Sequence, residues 1–426
     1  MIAFASLFLG LMLGVRPVEV VVGDGVAAVE LRLDGRRLGK LTGAPWVMEC
    51  DFGPELAPRH LEAVAFDAGE RELGRVSQWI NLPQERAVTS LVLEPRRPGE
   101  PRIARLSWES VAGAEPESVV GSLDGQPLAI DDPRRIVLPA VDETEFHLLQ
   151  VEMRFEGRVS TRVDLTFGGA YADQVSTELT ALPIAAVSKA ARPPTAAAAQ
   201  GWFLKDGEVL RVIAVEKGTA EVVVVLGRPF PRFFLPGEGV KTPKSLDLAR
   251  DQRARFVFTV PEQSKGVATT FDLFPTSRAY DRGDGDLYRL LTGFVRPPEN
   301  QPPRLNAAVA VAGLAAYQGR HRRAVVLVPA AEPEGVEDLA PVQVRRYLER
   351  LRVPFVVWDP EAGSRGLEGW GSAADRRAVG SVKQLAAAWT ELAAELDRQW
   401  IVWLDGRHLP QDVTLSPEAA GFVLPQ

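Results

Sequence analysis

The amino-acid sequence predicts a multidomain protein in which two antiparallel β-sandwiches precede a doubly wound α/β domain. Its 426 residues exceed one ordinary domain and suit three. Apolar and polar residues alternate between turn signals in the first half, whereas strands alternate with helical stripes in the second. With 46% hydrophobic and 25% charged residues, each domain can bury an ordinary core.

The first sandwich is predicted over residues 17–86. In the stretch VAAVELRLDGRRLG, apolar side chains alternate with polar ones up to an Asp34-Gly35 turn. Such a turn is a strong hairpin signal, because its central positions need residues that accept positive φ angles. Alternation resumes in HLEAVAFDAGE. Short alternating strands separated by turn residues are typical of an immunoglobulin-like β-sandwich.

The second sandwich is predicted over residues 87–187, because this region repeats the plan of the first. The stretch VVGSLDGQPLAI carries the same Leu-Asp-Gly at residues 123–125, and HLLQVEMRFEG matches the earlier strand that begins with His60. In this alignment His147 corresponds to His60. The repeat predicts two tandem immunoglobulin-like domains.

The α/β domain is predicted over residues 202–426, after a linker at residues 188–201 that is rich in proline and alanine. The continuous apolar run at residues 222–226 is typical of a strand covered on both faces. Three later stripes of apolar residues have helical spacing, and each precedes an apolar strand. This order predicts a mostly parallel sheet, whereas an irregular all-β chain cannot supply the helical stripes.

The N-terminal residues 1–16 are predicted to be a signal peptide. Residues 2–15 are uncharged yet too few to span a bilayer, and they have the length of a signal-peptide apolar region. No basic residue precedes them and no A-x-A motif follows, so a buried first strand is the alternative. We therefore expect an exported protein, periplasmic or extracellular, with no transmembrane span beyond this segment.

Composition and motifs argue against several functional classes. The net charge of −7 and the pI near 5.4 disfavour nucleic-acid binding, which needs a clustered basic surface. The only cysteine, Cys50, lies on the apolar face of an alternating strand, and the four histidines are scattered singly, so zinc is unsupported. No catalytic or nucleotide-binding motif is present. The sequence predicts no enzyme activity and no cofactor.

Two stretches of the second half, GWFLKDGEVLRVIAVEKGTAEVVVVLG and PPRLNAAVAVAGLAAYQGRHRRAVVLV, resemble the exported bacterial von Willebrand factor A-related proteins of the acidobacterial type. The resemblance covers roughly residues 201–404. It implies a von Willebrand factor A-like domain with a metal-ion-dependent adhesion site. That site consists of a D-x-S-x-S loop after the first strand, a threonine before a helix, and an aspartate that ends a later strand.

The positions of that metal site hold residues that cannot bind a hard cation. The D-x-S-x-S positions fall on Gly227, Pro229 and Pro231, the threonine position on Pro303, and the aspartate position on Ala330. None of these side chains carries an oxygen, which Mg²⁺ requires. The resemblance therefore implies a degenerate adhesion site without metal.

Arginines flank the same positions and form the candidate partner-binding site: Arg228, Arg232 and Arg304. A guanidinium group can bind a partner carboxylate directly, without a metal. The alternative is that these are solvated surface arginines. If they bind, the double substitution Arg228→Ala and Arg232→Ala should abolish partner capture without unfolding the protein, which a binding assay and circular dichroism would show. Unchanged capture would reject the site.

Two further features have ordinary structural explanations. The stretch DRGDGD does not have calcium-loop spacing, so we expect a solvated loop before a short helix, with Asp284 or Asp286 as its N-cap. Most tryptophans of the last quarter fit core positions. Trp370, in the glycine-rich stretch GLEGWGS, is the tryptophan least easily assigned to a core.

The sequence thus favours a non-enzymatic, metal-independent interaction or scaffold protein of the cell envelope or exterior, with an unknown protein partner. Two alternatives remain open. One is a hydrolase of envelope polymers that uses an unrecognised pair of carboxylates, and the other is a structural spacer.

Overall fold

The computed structural model describes residues 2–5, 11–23, 25–82, 87–94, 101–110, 115–142, 145–155, 159–168, 179–188, 191, 194–227, 230, 243–260, 274, 276–293, 303–329, 339–361, 367–371 and 375–425. Among these residues, no helix is both long enough and apolar enough to cross a membrane.

Over the part of the chain that the structure describes, the first sandwich contains seven strands in two antiparallel sheets. The strands are β1 (Ile2–Phe4), β2 (Val15–Val22), β3 (Ala28–Leu33), β4 (Arg36–Leu41), β5 (Val47–Asp51), β6 (Arg59–Phe66) and β7 (Glu72–Ile80). One sheet has the order β1-β2-β5 and the other β4-β3-β6-β7. Alternation creates the core, because Val29 and Leu31 of one sheet pack with Val18 and Val20 of the other.

The second sandwich repeats this arrangement strand for strand. Its strands are β8 (Ala87–Leu93), β9 (Ile103–Ser110), β10 (Ser118–Leu123), β11 (Gln126–Leu128), β12 (Ile136–Val137), β13 (Phe146–Phe155) and β14 (Val159–Gly168). They form the sheets β8-β9-β12 and β11-β10-β13-β14. Leu106 of the first of these sheets shares a core with Leu149 and Val151 of the second. The sequence repeat therefore extends to the order of all seven strands.

The Leu-Asp-Gly turns are equivalent, but the histidines are offset by one position. Asp34 and Asp124 have φ angles of 52° and 51°. The Asp34 carboxylate accepts a hydrogen bond from the backbone N–H of His60 (2.8 Å), and Asp124 accepts one from that of Leu148 (2.8 Å). His60 thus corresponds to Leu148, and the alignment of His147 with His60 was wrong. Backbone pairing sets the strand register, so two strands that both contain His-Leu near their start need not be equivalent position by position.

His147 makes the stability of the second sandwich depend on pH. Burial alone would lower the pKa of His147, but its hydrogen bonds with the Asp124 carboxylate and the Asp142 carbonyl, together with nearby negative charge, raise the pKa above its ordinary value. A raised folded-state pKa adds stability below the unfolded value, and that stability is lost as the pH rises through the folded value. When the pH is raised from about 6 to about 8, the free energy of unfolding measured by chemical denaturation should fall more for the native chain than for His147→Gln. Equal losses would contradict this assignment.

The residues after the second sandwich join the C-terminal half earlier than the predicted boundary at residue 187. Strand β15 (Leu179–Ala186) pairs with a strand at Gln399–Asp405 rather than with the second sandwich. The strands here are β16 (Phe203–Lys205), β17 (Glu208–Val209), β18 (Val212–Glu216), β24 (Gln399–Asp405), β25 (Val413–Leu415) and β26 (Phe422–Val423). They form the sheets β18-β24-β15-β26 and β17-β16-β25. Residues 179–425 are called the C-terminal unit below.

A five-stranded parallel sheet lies within the C-terminal unit. Its strands are β19 (Ala220–Leu226), β20 (Gln252–Phe258), β21 (Arg322–Val328), β22 (Phe355–Asp359) and β23 (Arg376–Ala378), in the order β20-β19-β21-β22-β23. Helices α1 (Leu287–Gly293) and α4 (Val382–Leu396) cover one face, and α2 (Leu305–Gln318) and α3 (Pro341–Arg350) cover the other. Every residue of β19 is buried, as its apolar run predicts.

Three further predictions concern single segments. Trp370 is 2% exposed and packs in the core on the α2 and α3 face of the sheet. The glycine-rich stretch around it gave no indication of this burial. Asp286 accepts a hydrogen bond from the backbone N–H of Arg289 at the start of α1, which confirms its capping role. Asp284 pairs with Arg278 instead.

The N-terminal segment contributes to the first sandwich. Strand β1 pairs with β2, and the side chains of Leu11 and Leu13 pack against a buried core. The backbone of Met12 is hydrogen-bonded to the Asn81 side chain. The signal peptide at residues 1–16 and export stay predictions.

Candidate functional site

The carboxyl edge of the parallel sheet holds the positions that the sequence singled out. Arg304 is exposed at the N-terminus of α2, where its backbone N–H donates to the Thr259 carbonyl (2.7 Å). Gly227 and Pro303 lie at this edge, and their side chains offer no oxygen ligand. Arg228 and Arg232 lie outside the described residues, as do Pro229, Pro231 and Ala330. The proposed grouping of the three arginines stays a prediction.

Among the described residues, no group of three or more histidine, cysteine, aspartate or glutamate side chains is placed to hold a metal ion. The residues described at the carboxyl edge show no carboxylate cluster.

The first sandwich is joined to helix α3 by a set of polar contacts, called the seam below. Glu55 forms ion pairs with Arg346 (2.7 Å) and Arg350. Its hydrogen bond with Arg350, above all, lowers the pKa of the Glu55 carboxyl. The buried Tyr347 hydroxyl donates to the Asn81 carbonyl (2.6 Å). These contacts fix the helix on the sandwich.

The second sandwich contacts the C-terminal unit through a buried carboxylate. Asp164 of β14 is buried and pairs with Arg320, which follows helix α2. The Arg320 guanidinium also lies over the Trp403 ring, 5.9 Å from its centre. Each sandwich therefore has its own charged contact with the C-terminal unit.

A cavity of about 170 Å³ lies where the two sandwiches meet the C-terminal unit, and it is called the junction cavity below. The first sandwich supplies Trp79 to its wall and the second supplies Arg154. The C-terminal unit supplies Leu179 and Arg407, together with the end of α2 and the first residues of β19 and β20. The cavity therefore depends on the relative placement of all three parts.

Arginines dominate the charge of the junction cavity. Five of them line it: Arg154, Arg253, Arg255, Arg320 and Arg407. Three are paired with carboxylates: Arg154 with Glu152, Arg255 with Glu221, and Arg320 with Asp164. Arg407 lies over the Trp79 ring, 4.8 Å from its centre.

Strands β19 and β20 place three of the charged groups on one face of the parallel sheet. Arg253 and Arg255 are two residues apart in β20, and Glu221 of β19 is the register partner of Arg253. Glu221 is 3% exposed. Its Oε1 lies 3.0 Å from the Arg255 Nε, yet neither buried atom makes an aligned hydrogen bond. Glu221 and Arg255 thus form an ion pair across the two strands without a well-aligned hydrogen bond between these atoms.

A second group of ionisable residues lies where the first sandwich meets the C-terminal strands. Burial is the main effect that raises the pKa of Asp412; the positive Lys205 opposes the shift, and the charges of Asp34 and Asp206 add to it. Burial also lowers the pKa of His60, whose ring stacks on Trp79 at 4.4 Å. This is the only site among the described residues where an aspartate has a pKa raised partly by other aspartates.

Sequence reasoning missed the junction cavity. The available signal was the strand QRARFVF, in which Arg253 and Arg255 alternate with buried residues and therefore lie on the same face of the strand. Charged residues on such a face need partners or a ligand. The sequence could not show which parts of the chain surround them.

Comparisons with known proteins identify no family. No family model and no curated protein matches the chain. Among solved structures, fibronectin(III)-like modules of Clostridium thermocellum CbhA are 17% identical, with a TM-score of 0.17; the match covers 19% of this chain and 93% of that one. A β-glucuronidase from glycoside hydrolase family 2 is 12% identical, with a TM-score of 0.20; 39% of this chain and 20% of that one are covered. These TM-scores are too low to transfer a fold or an activity.

A similar degree of likeness holds for a β-glycosidase from Bacteroides vulgatus. It is 14% identical, with a TM-score of 0.20, and the match covers 38% of this chain and 24% of that one. The chain thus spans at most about a quarter of the two glycosidases.

Proposed function

We propose that this chain is a non-enzymatic, metal-independent scaffold or interaction protein of the cell envelope or exterior. In this proposal the part at residues 202–426 is a von Willebrand factor A-like domain with a degenerate metal site. The unknown protein partner binds at the carboxyl edge of its parallel sheet, near Arg304.

The seam is the observation that carries the proposal. A scaffold must hold its parts in one orientation, and directional contacts do so better than apolar packing alone. Glu55 is shared by two arginines from successive turns of α3, and the Tyr347 hydroxyl bonds to a backbone carbonyl of the first sandwich. Ion pairs at a surface contribute little stability but favour one register of the two faces.

The proposal is tested with the purified protein immobilised and exposed to an envelope extract, once with Mg²⁺ and once with a chelator. Bound proteins are identified by crosslinking and mass spectrometry, and the leading candidate is then purified. We expect it to rebind in a 1:1 ratio and to the same extent in chelator. The absence of any stoichiometric partner would contradict the proposal and favour a structural spacer.

The matched control is the seam variant Arg346→Ala with Arg350→Ala. Both side chains are partly exposed, so the variant should fold, while the first sandwich loses its charged contact with α3. If fixed orientation matters, partner retention should fall several-fold. If the variant retains the partner as well as the native chain does, partner binding does not require the fixed orientation that the seam provides.

A hydrolase of envelope polymers is the second candidate, and the raised pKa of Asp412 beside Asp34 and Asp206 is what favours it. Carboxyl groups whose environments push their pKa values apart can divide the roles of general acid and general base. Incubation with isolated envelope polymers should release no product above the blank under our proposal. Product release that Asp412→Asn abolishes would replace the scaffold with an enzyme.

A further inference from the structure

A stack of aromatic and charged side chains lies where the first sandwich meets the C-terminal unit. His60 of β6 is the register partner of Trp79 of β7, and the centres of their rings are 4.4 Å apart. The Arg407 guanidinium of the C-terminal unit also lies over the Trp79 ring, 4.8 Å from its centre. The Gln411 side chain of the same unit donates to the Pro58 carbonyl (2.8 Å). The His60 imidazole is therefore half-buried at a contact between two parts of the chain.

Among the described residues, the negative charges that favour the protonated form of His60 belong to its own sandwich. They are those of Glu62, two residues further along β6, and of Asp34, whose carboxylate accepts a hydrogen bond from the His60 backbone N–H (2.8 Å). Glu62 pairs with Arg75 and Asp34 pairs with Arg59, and both arginines lie in the same sandwich. These groups therefore stay near the imidazole whether or not the C-terminal unit is in contact.

The positive charges that disfavour protonated His60 belong to the C-terminal unit. They are those of Arg407, which follows β24, and of Lys205, the last residue of β16. Burial is the main effect that lowers the pKa of His60, and these two cations lower it further. Withdrawal of the C-terminal unit removes both cations and neither carboxylate. Protonation of His60 and contact with the C-terminal unit therefore oppose each other.

Asp412 of the C-terminal unit faces the same contact and responds to pH with the opposite sign. Burial is the main effect that raises the pKa of Asp412; the nearby cation of Lys205 opposes the shift, and the charge of Asp34 across the contact adds to it. Asp206 also raises this pKa, and His408 lowers it. A raised pKa means that protonation of Asp412 favours the contact. Because the ordinary pKa of aspartate is about 3.9 and that of histidine about 6.5, this effect acts at lower pH.

We propose that the contact between the first sandwich and the C-terminal unit is a pH-sensitive switch that protonation of His60 loosens. At neutral pH the uncharged imidazole stacks on Trp79. Acidification adds a positive charge that Arg407 and Lys205 repel, while the two carboxylates of the sandwich attract it after separation as well. Since contact lowers the pKa of His60, the separated form takes up the proton first as the pH falls through about 6.5. Each unit of difference between the two pKa values changes the contact equilibrium about tenfold.

The test is a distance measurement by double electron-electron resonance at about pH 7.5 and about pH 5.5. Spin labels are placed at the exposed positions Val21→Cys on the first sandwich and Lys383→Cys on α4 of the full-length chain. The native chain and the seam variant, Arg346→Ala with Arg350→Ala, provide a strong and a weakened contact. We expect the broad component of the distance distribution to grow about threefold or more at the lower pH in the seam variant, and to grow in the native chain as well.

Substitutions assign the growth of the broad component to His60. His60→Gln stays neutral at both pH values, so its distance distribution should not change with pH. Lys205→Gln removes one repelling cation and keeps the imidazole, so the growth should be smaller than in the native residue's presence. The matched control is Lys244→Gln, which removes an exposed cation of the same unit that does not act on His60, and it should leave the growth unchanged.

The ion pairs of the seam do not explain such growth, because the pKa of the Glu55 carboxyl is lowered, above all by its hydrogen bond with Arg350. No growth in either background, or growth of the same size in His60→Gln, would overturn the inference. If His60→Gln is already broad at the higher pH, Lys205→Gln decides, and growth equal to that of Lys244→Gln overturns the inference. None of these results depends on partner capture at the carboxyl edge.

Discussion

Replacing Asn81 with alanine is expected to lower the free energy of unfolding by about 3 to 5 kcal/mol. Asn81 is 3% exposed, and its side chain bonds to the Met12 N–H (2.6 Å), the Met12 carbonyl (2.8 Å) and the Ala57 carbonyl (2.7 Å). Each lost bond costs about 1 kcal/mol, and a buried group left unpaired costs more. The φ angle of 57° adds about 1 kcal/mol for alanine. Chemical denaturation measures the loss.

The backbone and side-chain parts of this effect can be separated with Asn81→Gly. Glycine accepts the left-handed conformation without steric cost, so it should lose only the side-chain bonds and unfold at a higher denaturant concentration than the alanine variant. The Asn81 carbonyl also accepts from Tyr347, so both variants should loosen the seam. A loss below about 1 kcal/mol for Asn81→Ala would contradict the role of Asn81 as the anchor of the N-terminal segment.

Replacing Arg322 with alanine is expected to cost about 3 kcal/mol. The side chain is fully buried and donates to the carbonyls of Gly218 (2.9 Å) and Leu396 (3.1 Å), while it forms ion pairs with Asp251 and Asp397. Removal leaves the buried Leu396 carbonyl and the Gly218 carbonyl without this donor, and it leaves an unfilled space. Both aspartates are half-exposed and become hydrated, which keeps the loss at the low end of the range for broken buried pairs.

Lysine at the same position is the matched control. It preserves the charge and most of the volume, but a single ammonium group cannot reach both carbonyls and both carboxylates. Arg322→Lys should therefore unfold between the native chain and Arg322→Ala in a denaturation experiment. Equal stability of all three proteins would show that Arg322 does not tie β21 to its neighbours.

The local parts of the fold could be predicted, because short-range chemistry determines them. The two Asp-Gly turns predict hairpins, since residues such as Asp34 and Asp124 accept positive φ angles. The unbroken apolar run of β19 predicts a strand covered on both sides. Helical spacing likewise predicts the buried stripe of α4.

Long-range pairing was not accessible from sequence pattern. Strand β15 pairs with β24, which follows it by more than two hundred residues, and its apolar run fits either neighbour equally well. For this reason the predicted end of the second sandwich came too late. The offset of His147 has the same origin, because register depends on which backbone groups meet.

The same contrast between local and long-range information applies to the candidate sites. The metal positions were assigned by resemblance to a family, and since Pro229, Pro231 and Ala330 lie outside the described residues, the degenerate metal site stays a prediction. The junction cavity needs Trp79, Arg154 and Arg253 from three separate parts of the chain, and no local pattern connects them. The sequence shows the charged residues but not their meeting point.

In a scaffold of fixed geometry, the sandwiches and the C-terminal unit should keep one relative orientation. Spin labels can report this, because the only native cysteine is unreactive: Cys50 is 1% exposed, and burial followed by the charge of Glu49 raises its pKa to about 11. Labels at Val21→Cys and Val120→Cys, each paired with Lys383→Cys on α4, lie at exposed positions of the three parts.

The decisive measurement is the distance distribution between each pair of labels by double electron-electron resonance, with and without chelator. We expect one narrow distance for each pair, unchanged by chelator, and a broader distribution for the Val21 pair when Arg346 and Arg350 are replaced with alanine. Broad distributions in the native chain would contradict it, because parts that move independently cannot form a scaffold of fixed geometry.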